Sequence, residues 1–174
     1  QENAIPLILA GDRDVIIAAA TASGKTEAAF FPILTRLLRP EEEGGSVVYI
    51  SPLKALINDQ WGRLSSLCAD LEIPVVPWHG DISSTRKRAF AERPSGIVLI
   101  TPESLEALFM RRGPSMGEIC GRVRYVVVDE LHAFIGTERG KQLQSLMHRM
   151  EDAARARLPR IGLSATLGDM VMAG

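Results

Sequence analysis

Short apolar runs rich in β-branched residues recur along this chain and alternate with stretches whose apolar residues return every three or four positions. The first pattern is that of buried strands, the second that of helices with one apolar face. Strands are expected at Asp14 to Ala18, Ser46 to Ser51, Pro74 to Trp78, Ile97 to Thr101, Tyr125 to Asp129 and Arg160 to Ser164. Because these runs are apolar throughout and do not alternate with polar residues, the sheet should be covered on both faces, as parallel sheets are. Phe30, Ile33, Leu34, Leu37 and Leu38 mark one amphipathic helix, with a kink expected at Pro32. Leu143, Leu146, Met147 and Met150 mark another, expected from Lys141 to Arg157 and stopped before Pro159. Pro40 to Gly45, Glu92 to Gly96 and Arg111 to Gly121 read as surface loops, and the trio Glu41, Glu42 and Glu43 as solvated charge. The pattern predicts a three-layer α/β domain around a mainly parallel sheet, with right-handed crossovers and the first strand near the sheet centre.

Length changes this picture little, since 174 residues suit one domain. A chain with 46% hydrophobic and 24% charged residues is too apolar to stay disordered. With 20 basic and 21 acidic side chains the net charge is −1, so a polyanion would have to be met by a local patch. Cys68 and Cys120 lie far apart without a CxxC or a His pair, which suggests neither a disulfide framework nor zinc, and suits a reducing, cytoplasmic setting. No apolar run is long enough to span a membrane. A chain that begins at Gln1 is expected to be a piece of a longer protein.

Candidate chemistry lies at two strand ends. After the first strand comes Ala19-Ala20-Thr21-Ala22-Ser23-Gly24-Lys25-Thr26, then the first amphipathic helix. Small side chains there let successive N–H groups curl round a phosphate at a helix N-terminus, with Lys25 reaching the β/γ-phosphates and Thr26 ligating Mg²⁺. Ala19 stands where the strict phosphate-loop pattern has Gly. The apolar run Val126-Val127-Val128 ends in Asp129-Glu130-Leu131-His132. Ligands of open α/β sheets bind beyond the carboxyl ends of strands, so Asp129 can serve the metal while Glu130 orients and deprotonates the attacking water. Taken alone, an Asp-Glu pair after a strand is often just a helix start. His132 alone suits a structural histidine, and His79 and His148 carry no motif.

Gln1, ATASGKT, SPLKAL, WHGD, TPES, DELH and SAT, in this order, resemble the motif series of superfamily 2 helicases of DExH type. TASGKTEAAFFPIL and VVVDELHAFIGTERGKQLQSLMHRME resemble its large helicase-related, Lhr-like group. The resemblance implies the first of two RecA-like domains, residues 1–174, in an ATP-dependent nucleic-acid helicase or translocase, with ATP and Mg²⁺ as cofactors and single-stranded DNA favoured over RNA. It implies adenine recognition by Gln1 and a nucleotide cradle of Thr21, Ala22, Ser23, Gly24, Lys25, Thr26 and Glu27. Lys25, Asp129 and Glu130 become catalytic, Thr26 and Asp129 metal-holding. His132, Ser164 and Thr166 would couple nucleotide state to nucleic acid, with His132 the spatial partner of the Ser164-Ala165-Thr166 segment.

The same resemblance assigns the nucleic-acid track to Pro52, Lys54, Ala55, Gly80, Asp81, Thr101, Pro102, Glu103 and Ser104. Lys54, Thr101 and Ser104 also follow strand ends, and Lys, Thr and Ser suit phosphate contacts. The basic run Ser83-Ser84-Thr85-Arg86-Lys87-Arg88 could extend the track or be a solvated helix face. Trp61 and Trp78 form no evident stacking platform. Two alternatives remain: an ATP-gated clamp or remodeller without strand separation, which has the same motifs, and a non-catalytic RecA-like binding module, against which Lys25, Thr26, Asp129 and Glu130 together argue.

Overall fold

The computed structural model describes residues 3–18, 24–79 and 84–165. Its centre is a six-stranded sheet in the order β1-β6-β5-β2-β4-β3, with every pairing parallel. The strands are β1 (Val15–Ala18), β2 (Ser46–Ile50), β3 (Val75–Trp78), β4 (Gly96–Ile100), β5 (Val123–Val128) and β6 (Arg160–Ser164). The helices are α1 (Ala4–Ala10), α2 (Lys25–Leu37), α3 (Lys54–Cys68), α4 (Ser84–Glu92), α5 (Pro102–Arg112), α6 (Met116–Gly121) and α7 (Glu138–Ala154). All six expected strands are present, with ends moved by at most two residues.

Alternate residues of each central strand feed two cores. Val47, Tyr49, Ile97, Leu99, Tyr125 and Val127 pack with α1, α2 and α3 on one face. Val48, Ile50, Val98, Ile100, Val126 and Val128 pack with α4, α5, α6 and α7 on the other. Every residue of β2 and β4 is buried, which is why those runs show no polar alternation. From β1 to β3 the chain crosses the sheet in one direction through α2 and α3, then returns through α4 to α7. Direction and face change together, as a single crossover hand requires.

Several expectations need correction. β1 is an edge strand, not a central one, because β6 inserts between it and β5. Its Ile16 is 40% exposed, a mark of that edge, but four residues of strand carry no signal of rank in the sheet. Arg111 to Gly121 is not a plain loop: a 3₁₀ turn (Gly113–Ser115) leads into α6, which buries Met116, Ile119 and Cys120. Their helical spacing was masked by the surrounding Gly and Pro. Helix α7 starts at Glu138, ahead of the expected Lys141, because the Thr137 side chain accepts a hydrogen bond from Gly140 N–H, and it ends where Arg155 turns left-handed. The short helix α1 was missed, since Ile8 alone among its residues is buried.

Glu42 is not solvated loop charge. Its side chain is 14% exposed and paired with Arg36 at 2.9 Å and with Arg124. Burial works against its charged form, but the two guanidinium groups outweigh it and hold the carboxyl below the usual Glu range. Arg36 also donates to the Tyr125 hydroxyl at 2.9 Å, and that hydroxyl donates to the Ile8 carbonyl at 2.5 Å. This fully buried tyrosine thus ties α1 and α2 to the middle of the sheet. Replacing it by Phe leaves a buried carbonyl and a guanidinium N–H without their partner. Tyr125→Phe is expected to lower stability by about 1–3 kcal/mol, read from urea unfolding midpoints.

Candidate nucleotide and nucleic-acid site

Because all strands are parallel, their carboxyl ends share one edge, and adjacent strands are about 4.8 Å apart. The phosphate-loop helix after β1 and the acidic pair after β5 therefore flank the tip of β6 at about two strand spacings, roughly 10 Å. Gly24 precedes α2 with φ 75°, a left-handed turn that glycine makes without steric penalty. Lys25 and Thr26 open the helix, and Thr26 is buried. Glu27 in the first turn suits the helix dipole, and its carboxylate accepts from Arg63 of α3 at 2.8 Å. Thr21, Ala22 and Ser23, like Gln1, lie outside the described residues.

Asp129 is 7% exposed and accepts from the Glu130 N–H at 2.9 Å. Glu130 then adopts φ 48° and ψ 46°, a left-handed conformation costly for a residue with a side chain. A 3₁₀ turn (Leu131–Ala133) follows, so the pair does not open an α-helix. The turn brings His132 Nε2 to 3.2 Å from the Glu130 carboxylate and His132 Nδ1 to 3.1 Å from Ser164 Oγ. His132 is thus neither solitary nor merely packed: it joins the tip of β5 to the tip of β6. With Nε2 protonated towards Glu130, Nδ1 accepts from the Ser164 hydroxyl, an assignment made from the neighbours.

Two buried hydroxyls lie on the Asp129 side of the sheet. Ser51 continues the β2 register to stand beside Asp129, whose N–H bonds the Ile50 carbonyl at 2.8 Å. Tyr49 lies below it. The Ser51 hydroxyl has no hydrogen-bond partner among the described residues. Burial, then the charge of Asp129 and a hydrogen bond to it, push the Tyr49 phenol well above its ordinary value.

The residues expected to line a nucleic-acid track follow β2 and β4. Thr101 caps α5 by accepting from Ser104 N–H at 3.2 Å, with Pro102 in the first turn. Glu103 points its carboxylate to Arg139 at 2.8 Å. Lys54 and Ala55 open α3 after an exposed Leu53. His79 at the end of β3 is buried and bonded to Asn58 Oδ1 at 2.9 Å. Gly80 and Asp81 lie outside the described residues, as does Thr166. In the basic run, Arg88 is paired with Glu92 at 2.7 Å on the exposed face of α4. Trp78 packs edge-on against Phe90, as a half-buried core residue does.

The family model for the DEAD/DEAH box helicase matches residues 1–173. The chain belongs to the DEAD/DEAH box helicase family. It is 36% identical over 171 residues to an ATP-dependent helicase Lhr-Core of Methanothermobacter thermautotrophicus, covering 89% of this chain and 20% of that protein. An Lhr-Core helicase of Sulfolobus acidocaldarius is 35% identical, covering 98% and 21%. The helicase Lhr of Mycobacterium smegmatis, solved with single-stranded DNA and AMP-PNP, superposes with a TM-score of 0.78 at 32% identity, covering 94% of this chain and 22% of that one. The chain spans about a fifth of the length of these relatives. The RecA-like, Lhr-like resemblance of the motifs thus extends over nearly the whole of this chain, to a matching fifth of the Lhr-Core helicases and of a solved Lhr helicase.

Within this helicase domain, Lys25, Thr26, Asp129, Glu130, His132 and Ser164 gather over β1, β6 and β5, and Pro52, Lys54 and Thr101 to Ser104 over β2 and β4. Tyr49, Ser51 and Arg139 escaped the motif reading. Tyr49 looks like any strand residue in sequence, and nothing in the sequence pairs Arg139 with Glu103. The left-handed Glu130 yields a test. Both Glu130→Gly and Glu130→Gln remove the carboxylate, but only Gly relieves the backbone, so Glu130→Gly should be the more stable of the two by up to about 1 kcal/mol in urea unfolding.

Proposed function

We propose that this chain is the first of two RecA-like motor domains in an ATP-dependent nucleic-acid helicase or translocase, with DNA favoured over RNA. The observation that carries the reading is the Glu130–His132–Ser164 chain of contacts beside the phosphate-loop helix. It joins the residue best situated to activate water to the tip of β6. The helicase names of the relatives, and the single-stranded DNA and AMP-PNP bound to the mycobacterial Lhr, support ATP and nucleic acid as ligands.

In this mechanism Lys25 and the first N–H groups of α2 bind the β- and γ-phosphates, and Gln1 and the segment from Thr21 to Glu27 complete the nucleotide cradle. Glu130 accepts the proton of the water that attacks the γ-phosphorus, while His132 fixes the carboxylate's direction. Thr26 and Asp129 would hold a Mg²⁺, which neutralises phosphate charge. The donor set fits: both offer hard oxygens, both are buried, and the Ser51 hydroxyl beside Asp129, which has no partner among the described residues, could serve the ion's waters. Mg²⁺ keeps several waters and needs one or two protein oxygens when phosphates supply the rest, as Thr26 and Asp129 would provide. Pro52, Lys54, Ala55, Gly80, Asp81 and Thr101 to Ser104 form half of the strand track, with the second domain supplying the other half and an arginine finger. Among the described residues no helix is long and apolar enough to cross a membrane, and two buried free cysteines suit a reducing cytoplasm.

In the full-length protein, Glu130→Gln should keep fluorescent-nucleotide binding and slow steady-state ATP turnover by about 10²-fold or more. Lys25→Ala should instead lose binding itself, through the missing charge at the phosphates. Wild-type turnover by the first variant, or unchanged nucleotide affinity in the second, would remove the assigned roles.

A further inference from the structure

One side chain joins the two segments of the proposed track to the turn that follows the acidic pair. Arg139 lies in the first turn of α7. Its Nε donates to Glu103 Oε1 at 2.8 Å and its Nη2 to the Pro52 carbonyl at 2.9 Å, while its guanidinium carbon sits 5.7 Å from the centre of the Phe134 ring. Pro52 follows β2, Glu103 follows β4, and Phe134 ends the turn that begins at Glu130. A guanidinium can satisfy a carboxylate, a carbonyl and a ring face together because its donors form a fixed planar fork.

The far end of this connection is equally tight. Phe134 is buried, and its N–H bonds the Leu131 carbonyl at 3.0 Å. Its carbonyl accepts from Thr137 N at 3.2 Å and Thr137 Oγ1 at 2.9 Å. Gly140 packs so closely on that carbonyl that a Cβ would stand 2.0 Å from the oxygen. Arg139 therefore sits on a helix start that cannot shift without moving the turn carrying His132. Burial raises the Glu103 carboxyl, but the hydrogen bond and charge of Arg139, with hydrogen bonds from the backbone and from Thr101, together outweigh it and hold the group below the usual Glu range. A carboxylate so engaged repels phosphate, so Glu103 serves the track as an anchor and not as a phosphate contact.

We infer that Arg139 is a positioning residue, which fixes the Pro52 and Thr101–Ser104 segments relative to the Glu130–His132 turn so that strand binding and ATP turnover are coupled. An isolated exposed ion pair of this kind contributes little to stability, so the contact's effect should appear in coupling. The inference rests on the nucleic-acid track proposed above.

The test is ATPase activity of the full-length protein, titrated with poly-dT and with poly-U single strands. Arg139→Ala should raise the half-saturating strand concentration by about tenfold, while the strand-free KM for ATP moves by less than about twofold. Arg139→Lys should recover part of the loss, since an ammonium keeps the charge but not the fork. Glu103→Gln should shift half-saturation the same way, and adding it to Arg139→Ala should cost nothing more. If Arg139→Ala lowers only the thermal midpoint, with half-saturation unchanged, the residue is structural and the inference fails. Should that variant not fold, unchanged half-saturation in both Arg139→Lys and Glu103→Gln overturns it. A wild-type protein that neither strand stimulates would overturn the helicase reading itself, and the inference with it.

Discussion

Parallel pairing of all six strands is the constraint from which the rest follows. A parallel strand can be reached only by a crossover, so every strand is followed by a helix or turn at one edge and preceded by one at the other. Covering both faces with those crossovers buries β2 and β4 completely, and so demands apolar residues at consecutive positions. Fully buried side chains such as Ile50, Leu99 and Leu146 contribute on the order of 1.5–3 kcal/mol each, before the entropy of ordering the chain is set against them. The same pairing gathers the carboxyl ends of all strands at fixed lateral spacings. Chemistry that needs several groups at defined separations then requires only short loops.

The edge divides at the β5–β2 pairing. On one side lie β1, β6 and β5, with the phosphate-loop helix, Ser164 and Asp129; on the other lie β2, β4 and β3, with Pro52, Thr101 and His79. Ladder hydrogen bonds run on past the strands themselves, one across this seam and the next from β2 to β4. Asp129 N–H bonds the Ile50 carbonyl at 2.8 Å, and Ser51 N–H bonds the Ile100 carbonyl at 3.1 Å. The backbone is therefore continuous in hydrogen bonds from the acidic pair to the start of α5. Arg139 adds a side-chain brace above the same seam. Rigid backbone below and a guanidinium above leave little room for the two halves of the edge to shift independently.

What was legible in the sequence follows from range. Strands and the two striped helices are local patterns of burial, so Ser46 to Ile50 and Arg160 to Ser164 could be read from a few adjacent residues. Strand order is not local: β1 at the edge depends on where the last strand inserts, and no feature of Val15 to Ala18 records it. The proposed phosphate-loop helix and the DELH tip stand out in the sequence because the chemistry proposed for them requires particular residues in succession. The contacts among Glu130, His132 and Ser164 depend on a left-handed turn at Glu130, which side-chain identity does not announce, although the motif resemblance had paired His132 with the Ser164 segment. Glu42 shows the opposite error, because a run of three acids looks solvated until Arg36 and Arg124 arrive from distant positions.

Two tyrosines on the same face of the sheet show how structure and site divide the molecule. Tyr125 and Tyr49 are both fully buried. Near the amino edge, the Tyr125 hydroxyl both donates to Ile8 and accepts from Arg36, so its burial costs little and holds α1 in place. Nearer the carboxyl edge, the Tyr49 hydroxyl faces Asp129, and burial, then the charge of Asp129 and a hydrogen bond to it, raise the phenol well above its ordinary value. The left-handed Glu130 beside Asp129 carries a conformational cost of its own. One tyrosine is therefore anchored to a neutral carbonyl and a guanidinium that hold helices in place, and the other lies against a buried carboxylate, so the same side chain at two heights of one sheet face meets a paired scaffold at the amino edge and a concentration of negative charge at the carboxyl edge.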